Sequence, residues 1–183
     1  MITREEQIEL VKKHVKNENL VNHMIAVGAI MKGLAEHFEE DQELWEATGI
    51  LHDIDYEEFG DDMSMHGIKS AEMVEDILPE EAINAILRHN ELTGNKVETR
   101  FDIALLAADA ISGMIVANAL VRPTNMKGMK PNSVKRRMKD SSFAKQVSRE
   151  NIMLCEEIDL SFKEFARISI KAMQDVAPEI GLD

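Results

Sequence analysis

The run Ile103-Ala-Leu-Leu-Ala-Ala-Asp-Ala-Ile111 lies in a long apolar stretch and predicts a helix over roughly 100–120. Because apolar residues occur on nearly every side of this helix, we expect it to be buried almost all round. Asp109 interrupts the run. An unpaired carboxylate has a large desolvation cost in such a place, so Asp109 is expected to meet a cation, either an Arg or Lys side chain or a metal ion.

Helical periodicity continues outside this run. Thr3 and Glu6 have the spacing of a capping box at the start of a first helix. Apolar residues recur at three- and four-residue steps over about 19–37, and further helices are predicted at about 41–53, 66–77, 79–90 and 160–176. The acidic stretch 56–65, which contains Gly60, is predicted to be a loop. No segment alternates with period two, so the sequence predicts an all-α fold.

Composition favours a soluble protein of one domain over 1–183. The single Cys155 excludes an internal disulfide framework and fits a reducing compartment. We see no apolar run of 18 residues and no secretory stretch in MITREEQIEL, so we expect no membrane span and a cytoplasmic location. The methionine-rich helices are compatible with either a monomer or a homodimer.

The charge of the chain is unevenly distributed. The net charge of −13 disfavours general nucleic-acid binding, because an acidic body repels phosphate backbones. Between Arg122 and Arg149, however, nine Lys or Arg residues face one acid, Asp140, which makes this basic segment +8 and the remainder −21. The segment is interpreted either as a solvated surface or as a local anion site.

Several polar residues fall on apolar faces or at helix ends. His23 is in line with Leu20 and Val27, and the pair His52-Asp53 directly follows an apolar run. Taken singly, a histidine on such a face is more often a hydrogen-bonded core residue. Together with Asp109, these residues supply two imidazoles and two carboxylates, a set that suits Mn, Fe, Co, Ni or Zn better than Ca. His66 and His89 are further candidates, whereas His14 and His37 are expected at the surface.

The order of these residues along the chain resembles the HD-domain metal-dependent phosphohydrolase superfamily. It runs His23, His52-Asp53 within Ile50-Leu-His-Asp-Ile54, His66, His89 and Asp109. The stretch Leu51-His-Asp-Ile-Asp55 is similar to the motif of small HDIG-type proteins, with Asp55 in place of the usual glycine. The resemblance covers about residues 20–120 and extends into Leu120–Pro123 and Phe143–Arg149. It implies a compact HD-domain helical bundle with additional C-terminal helices over about 121–183.

The resemblance also implies a cofactor of one or two divalent transition-metal ions. His23, His52, Asp53 and Asp109 correspond to the ligands of one ion. His66 and His89 would help to hold a second ion that shares Asp53, or would contact substrate phosphate or a bound water in a mononuclear enzyme. Asp53, His66 and His89 are the predicted catalytic residues.

The implied reaction is the hydrolysis of phosphate esters, such as nucleotides or other small phosphorylated metabolites. Basic residues should then neutralise charge on the phosphate, and the candidates are Lys69, Arg122, Lys135 and Arg149. Lys69 lies one helical turn after His66, whereas the other three come from the basic segment without a geometric argument. The alternatives are an HD-type diiron oxygenase, which uses the same ligands, and a regulatory module that binds a phosphorylated ligand without turnover.

Overall fold

The prediction of an all-α fold is confirmed by a computed structural model, which describes residues 1–59 and 63–183. Its described part contains helices and turns and no strand. The predicted loop over 56–65 forms short 3-10 turns at Tyr56–Glu58 and Met63–Met65, while Gly60 lies outside the described residues. The α-helices are α1 (Arg4–His14), α2 (Glu18–Phe38), α3 (Gln42–Leu51), α4 (Ile68–Val74), α5 (Glu80–Arg88), α6 (Arg100–Leu120), α7 (Pro131–Met138), α8 (Arg149–Met153) and α9 (Phe162–Asp175).

Side-chain caps determine where several of these helices begin. The predicted capping box is present at α1, where the Thr3 side chain accepts from the Glu6 N–H and the Glu6 carboxylate accepts from the Thr3 N–H. Thr99 and Asp102 form a second capping box at the start of α6, which the sequence interpretation did not identify. These caps satisfy backbone donors that the first helical turn leaves without a partner.

Helices α2 and α3 approach each other so closely that their backbones touch. A Cβ atom added to Gly49 of α3 would lie 2.7 Å from the Cα of Gly28 in α2. Side chains of any size would separate the two helices at this point. The contact fixes the spacing between His23 in α2 and His52 at the end of α3.

Helix α6 is the central core helix, as the sequence predicts. Fourteen of its 21 residues are buried, and it packs against α2, α5, α7 and α9. The expectation that no stretch is apolar enough to span a membrane needs correction, because α6 passes by length and composition alone. Since 67% of its most apolar window is buried inside the fold, its apolar character is accounted for by the core.

The C-terminal helices complete the same hydrophobic cluster, which extends from Ile8 to Leu182. Helix α7 packs against α6 and α9, and α9 packs against α2. In the basic segment, Val134 is buried under α7, while Lys135, Arg136 and Lys139 are exposed. The charges of this segment are therefore directed away from the core.

Candidate metal centre

A cavity of about 350 Å³ brings together residues from several helices and turns. His23 comes from α2, His66 precedes α4, His89 ends α5 and Asp109 lies in α6. The cavity is lined by Leu20, His23, Asp53, Tyr56, His66, His89, Asn90 and Asp109. His52 is fully buried and lies against Asp53, so all six predicted metal ligands occupy one cluster.

Asp53 is at the middle of this cluster. Its Oδ1 atom is 3.1 Å from His89 Nε2 and 3.2 Å from the Nε2 atoms of both His52 and His66. Its Oδ2 atom is 3.7 Å from His23 Nε2, which in turn is 3.0 Å from Asp109 Oδ1. Four imidazoles therefore present the same ring nitrogen to two carboxylates.

The hydrogen-bond partner of the Nδ1 atom in each imidazole explains this common orientation. The Nδ1 atom of His52 is 2.8 Å from the Gly49 carbonyl oxygen, and that of His89 is 2.5 Å from the Ile86 carbonyl oxygen. Because a carbonyl only accepts hydrogen bonds, each Nδ1 must be the protonated nitrogen. The Nε2 atoms of both rings are then left with a lone pair directed at Asp53.

His23 and His66 are oriented in the same way by side chains. His66 Nδ1 donates to Asp55 Oδ1 at 2.7 Å. The Ser112 hydroxyl donates to the Asp109 carbonyl at 2.7 Å, so it accepts from His23 Nδ1, which is 3.1 Å away. Histidines that bind metals typically donate a hydrogen bond from the ring nitrogen that does not coordinate the ion, as these two do.

The converging lone pairs fit a cation. His66 Nε2 and His89 Nε2 are 3.1 Å apart, and His52 Nε2 is buried without a hydrogen-bond partner among the described residues. Acceptors that face one another repel unless a proton or a metal lies between them. Two groups have ligand atoms close enough to hold an ion, and they share His52: His23, His52 and Asp109, and His52, Asp53 and His89. This donor set suits a divalent transition metal.

The pKa values of the cluster follow from the same contacts. Burial alone would raise the pKa of Asp53, but His52, His66 and His89 hold it well below its ordinary value. Burial lowers the pKa of His52, which keeps that ring neutral. Burial also opposes protonation of His66, yet hydrogen bonds to Asp53 and Asp55 raise its pKa to about 10. Metal binding to the Nε2 atom of His66 would have to displace a proton from that ring.

Asp109 differs from its sequence-based prediction in one respect. Its side chain is 35% exposed, because it faces the cavity instead of the interior of the helix bundle. Among the described residues its carboxylate pairs with His23 and not with an Arg or Lys side chain. The salt-bridge explanation offered for this carboxylate is therefore not the one that the structure shows.

Asp55 supports a candidate metal ligand, a role that the sequence interpretation did not assign. It is fully buried, and its Oδ2 accepts from the Gly67 and Ser70 N–H groups at 2.9 Å while its Oδ1 holds His66. One carboxylate thus fixes both the start of α4 and the orientation of a candidate metal ligand. Its presence at the position where HDIG-type motifs have glycine was the available signal.

Three further residues complete the cavity wall. Leu20 precedes His23 by one helical turn, and Tyr56 lies edge-to-face against the His66 ring, with 5.3 Å between the ring centroids. Asn90 donates to the carbonyl oxygens of Met63 and His66, each at 2.9 Å. No sequence pattern singled out these residues, because their position depends on how separate turns pack.

The four predicted substrate-binding residues lie outside the cavity lining. Lys69 pairs at the surface with Glu72 at 2.9 Å, and Lys135 is exposed on α7. Arg122 donates to the carbonyl oxygens of Asn125 and Lys127, which closes the turn after α6. It is 13 residues beyond Asp109, about 20 Å away if the helical rise continues.

Arg149 likewise has a structural role. Its guanidinium donates to the carbonyl oxygens of Ala144 and Val147 at 2.7 and 2.8 Å and to that of Asp140 at 3.1 Å. These contacts hold together the turn between α7 and α8. The substrate-binding roles stay predictions, and for Arg122 and Arg149 the geometry favours a role in loop structure.

Comparison with known proteins gives one match. A family model described as HD domain matches residues 20–118, which is more than half of the chain and contains all six candidate ligands. No curated protein and no solved structure matches.

Proposed function

The chain belongs to the HD-domain family, and from that premise we propose that it is a metal-dependent hydrolase of phosphate esters. The observation that supports the proposal most directly is the common orientation of four imidazoles. Each has Nδ1 held by an acceptor and Nε2 facing Asp53 or Asp109. A merely structural cluster would satisfy its polar atoms internally, whereas this one leaves His52 Nε2 without a partner.

The six clustered residues would hold the metal. When bound, a divalent ion supplies an activated water and withdraws charge from a phosphoryl oxygen. The protein keeps the histidine ligands in place through hydrogen bonds to their Nδ1 atoms. The acceptors are the Gly49 and Ile86 carbonyls, the Asp55 carboxylate and the Ser112 hydroxyl. Asp53, whose carboxylate is kept ionised by its neighbours, would hold the metal and could accept a hydrogen bond from the attacking water and so orient it.

Two alternatives share this set of ligands. A diiron oxygenase of the HD type would use the same residues, so the arrangement of ligands does not favour it over hydrolysis. A regulatory module without turnover is disfavoured, since degenerate sites lack ligands and here all six candidates are together. Phosphate-ester hydrolysis remains the proposal because most members of the family are metal-dependent hydrolases.

The test combines metal analysis with turnover in the absence of oxygen. Protein purified without chelator is analysed for metals per chain, loaded with Mn²⁺ if necessary, and assayed with phosphate monoesters under argon. We expect bound metal and release of inorganic phosphate under argon. Turnover that requires O₂ would instead support the oxygenase, and failure to bind metal after reconstitution would contradict both enzymes.

A His66→Ala variant tests how many ions the cluster holds. If the site is dinuclear, the variant should lose one of two metal equivalents, because His66 Nε2 is among the nitrogens that face Asp53. If the site is mononuclear, its metal content should not change. Elemental analysis of the variant and the parent, purified side by side, separates the two cases.

A further inference from the structure

Resting on the proposed hydrolase function, we propose that the substrate is a small phosphate monoester with an uncharged aromatic leaving group that packs against Tyr56. This assignment excludes polyphosphorylated nucleotides. It rests on four observations: the apolar residues in the cavity wall, the hydrogen bonds that hold the Tyr56 turn in place, a described lining without Lys or Arg, and the cavity volume.

The wall of the cavity offers an aromatic surface next to the metal cluster. Tyr56, the single tyrosine of the chain, lines the cavity and is 39% exposed, although it contacts His66. Leu20 is the other apolar residue of the lining. A planar group that packs on this exposed ring, next to the candidate metal ligands, would bury apolar surface of both and so favour binding.

The turn that carries Tyr56 is firmly attached to the helix that carries Leu20. The Tyr56 N–H donates to the Asp53 carbonyl at 3.0 Å, which ties the ring to the metal cluster. The carboxylate of Glu57 accepts from the backbone N–H groups of Lys16 and Asn17 at 2.9 and 2.8 Å, just before α2 begins. Both apolar residues are thus placed before a ligand arrives, which lowers the cost of binding.

The charges around the cavity restrict the substrate to few anionic groups. No Lys or Arg is present in the described lining, and the ammonium of Lys69 is paired with Glu72. The lining contains the carboxylates of Asp53 and Asp109, and Glu57 and Glu58 are exposed on the turn after Asp53. One phosphate would be neutralised at the cluster, but each additional phosphate would find no Lys or Arg in the described lining, on a chain of net charge −13.

The size of the cavity fits the same class of molecule. Its volume of about 350 Å³ is near the lower end of the range of about 300–1,000 Å³ for small-molecule sites. A phosphate group and one aromatic ring fit such a volume.

The test measures binding separately from turnover, by titration calorimetry of the full chain loaded with Mn²⁺. Three non-hydrolysable ligands are compared: phenylphosphonate, methylphosphonate and 4-carboxyphenylphosphonate. We expect phenylphosphonate to bind about fivefold more tightly than methylphosphonate, as an aromatic contact gives. The added carboxylate should weaken binding by about threefold relative to phenylphosphonate, since the lining contains no Lys or Arg among the described residues. Equal affinities for the phenyl and methyl compounds would overturn the proposal, as would tighter binding of the carboxylate.

Variants at Tyr56 identify the residue responsible. Tyr56→Ala should abolish the preference for the phenyl over the methyl compound, whereas Tyr56→Phe should retain it. Val121→Ala, which removes an exposed apolar side chain outside the cavity lining, serves as the matched control. An equal loss for both ligands in Tyr56→Ala would mean that Tyr56 only positions His66, and would overturn its assignment as a substrate contact.

These measurements also separate this inference from the proposed function. Binding with the expected preference, but without phosphate release from any monoester, would contradict hydrolysis and retain the ligand class. Phosphate release with no preference for the phenyl ligand would retain hydrolysis and contradict the ligand class. Absence of measurable binding of all three phosphonates would overturn the inference.

Discussion

Two cavities of this protein differ in size and in how their charged groups are partnered. The larger, about 740 Å³, is a groove lined by residues of α1, α2, α3 and α9. In it the nearly buried carboxylate of Glu46 binds Arg4 at 2.8 Å and Lys32 at 2.7 Å, and Arg4 also binds Glu179. In the smaller cavity, about 350 Å³, no Lys or Arg is found in the lining of the described residues, and four ring nitrogens converge on the carboxylates of Asp53 and Asp109.

The difference shows that volume alone does not locate the chemistry of this molecule. In the groove, opposite charges satisfy one another, so the network stabilises the packing of α1 on α3. In the metal-site cavity, the Nδ1 atom of each of the four histidines has a fixed partner, while the Nε2 atoms converge on Asp53 and Asp109. His52 Nε2 has no hydrogen-bond partner among the described residues. A buried ring nitrogen without a partner, among histidines whose other nitrogens are held in place, indicates where a ligand binds. The following predictions test this distinction.

The largest effect is expected for Asp53→Ala. Because Asp53 faces all four imidazoles, its removal should eliminate metal binding and phosphate-ester turnover together. Metal content by elemental analysis and activity in the same preparation provide the measurement. Glu46→Gln is the matched variant from the groove and should retain full metal content. Full metal occupancy in Asp53→Ala would remove this residue from the metal centre.

Next in size is the effect of Asp55→Ala on metal affinity. Loss of the partner behind His66 should weaken metal binding by about 10- to 100-fold, the range typical of outer-shell carboxylates. Affinity is measured by competition with a chelator. Ser70→Ala is the control, since it removes the acceptor of the Asp55 N–H and leaves the contact with His66. Equal affinities in Asp55→Ala and the parent would show either that His66 does not need its partner or that His66 does not bind the metal, and the metal content of His66→Ala separates these two outcomes.

Arg149→Ala extends the comparison to charges outside both cavities. Loss of several charged hydrogen bonds to carbonyls should lower the free energy of unfolding by about 2 kcal/mol. Urea denaturation measures this quantity, with Lys145→Ala as an exposed control from the same segment. Unchanged stability combined with weaker binding of phosphorylated ligands would support the substrate-binding interpretation of Arg149 instead.

The smallest effect is expected for Glu46→Gln on stability. Because Lys32 is 47% exposed and its attraction to Glu46 is screened, the variant should lose only about 1 kcal/mol of unfolding free energy. Denaturation of Glu36→Gln, an exposed acid of the same groove, should differ from the parent by less than about 0.5 kcal/mol. If Glu46→Gln also lost bound metal, the two cavities would not be independent.

The sequence was most informative where a polar side chain occupies a position that helical periodicity predicts to be buried. A carboxylate in the apolar run of α6 and a histidine in line with the apolar face of α2 both pointed to the cavity that the structure contains. Such conflicts are visible in a linear pattern because helical periodicity determines which face a residue occupies. The order of the six candidate ligands then indicated the family, which the match over 20–118 confirms.

The same reasoning was less successful where a side chain contacts a backbone group in a distant turn. In the sequence, Arg122 and Arg149 look like the solvent-exposed lysines of the same segment. In the structure their guanidinium groups donate to backbone carbonyls, whose positions depend on the geometry of the loops. The role of Asp55 depends on the start of α4, which packs beside it, and that of Tyr56 on a turn held by Glu57. Periodicity contains no information about such contacts, so these roles had to come from the structure.

The contact between α2 and α3 also limits which residues related sequences can have at positions 28 and 49. A Cβ at position 28 would lie 2.5 Å from the Ile50 side chain and 3.1 Å from the Glu46 carbonyl oxygen, whereas a Cβ at position 49 would lie within 2.9 Å of backbone atoms of Val27 and Gly28. Because a side chain moves aside more easily than a helix backbone, position 49 tolerates an added Cβ less than position 28 does. Chains that share this helix contact are therefore expected to have glycine three residues before the His-Asp pair.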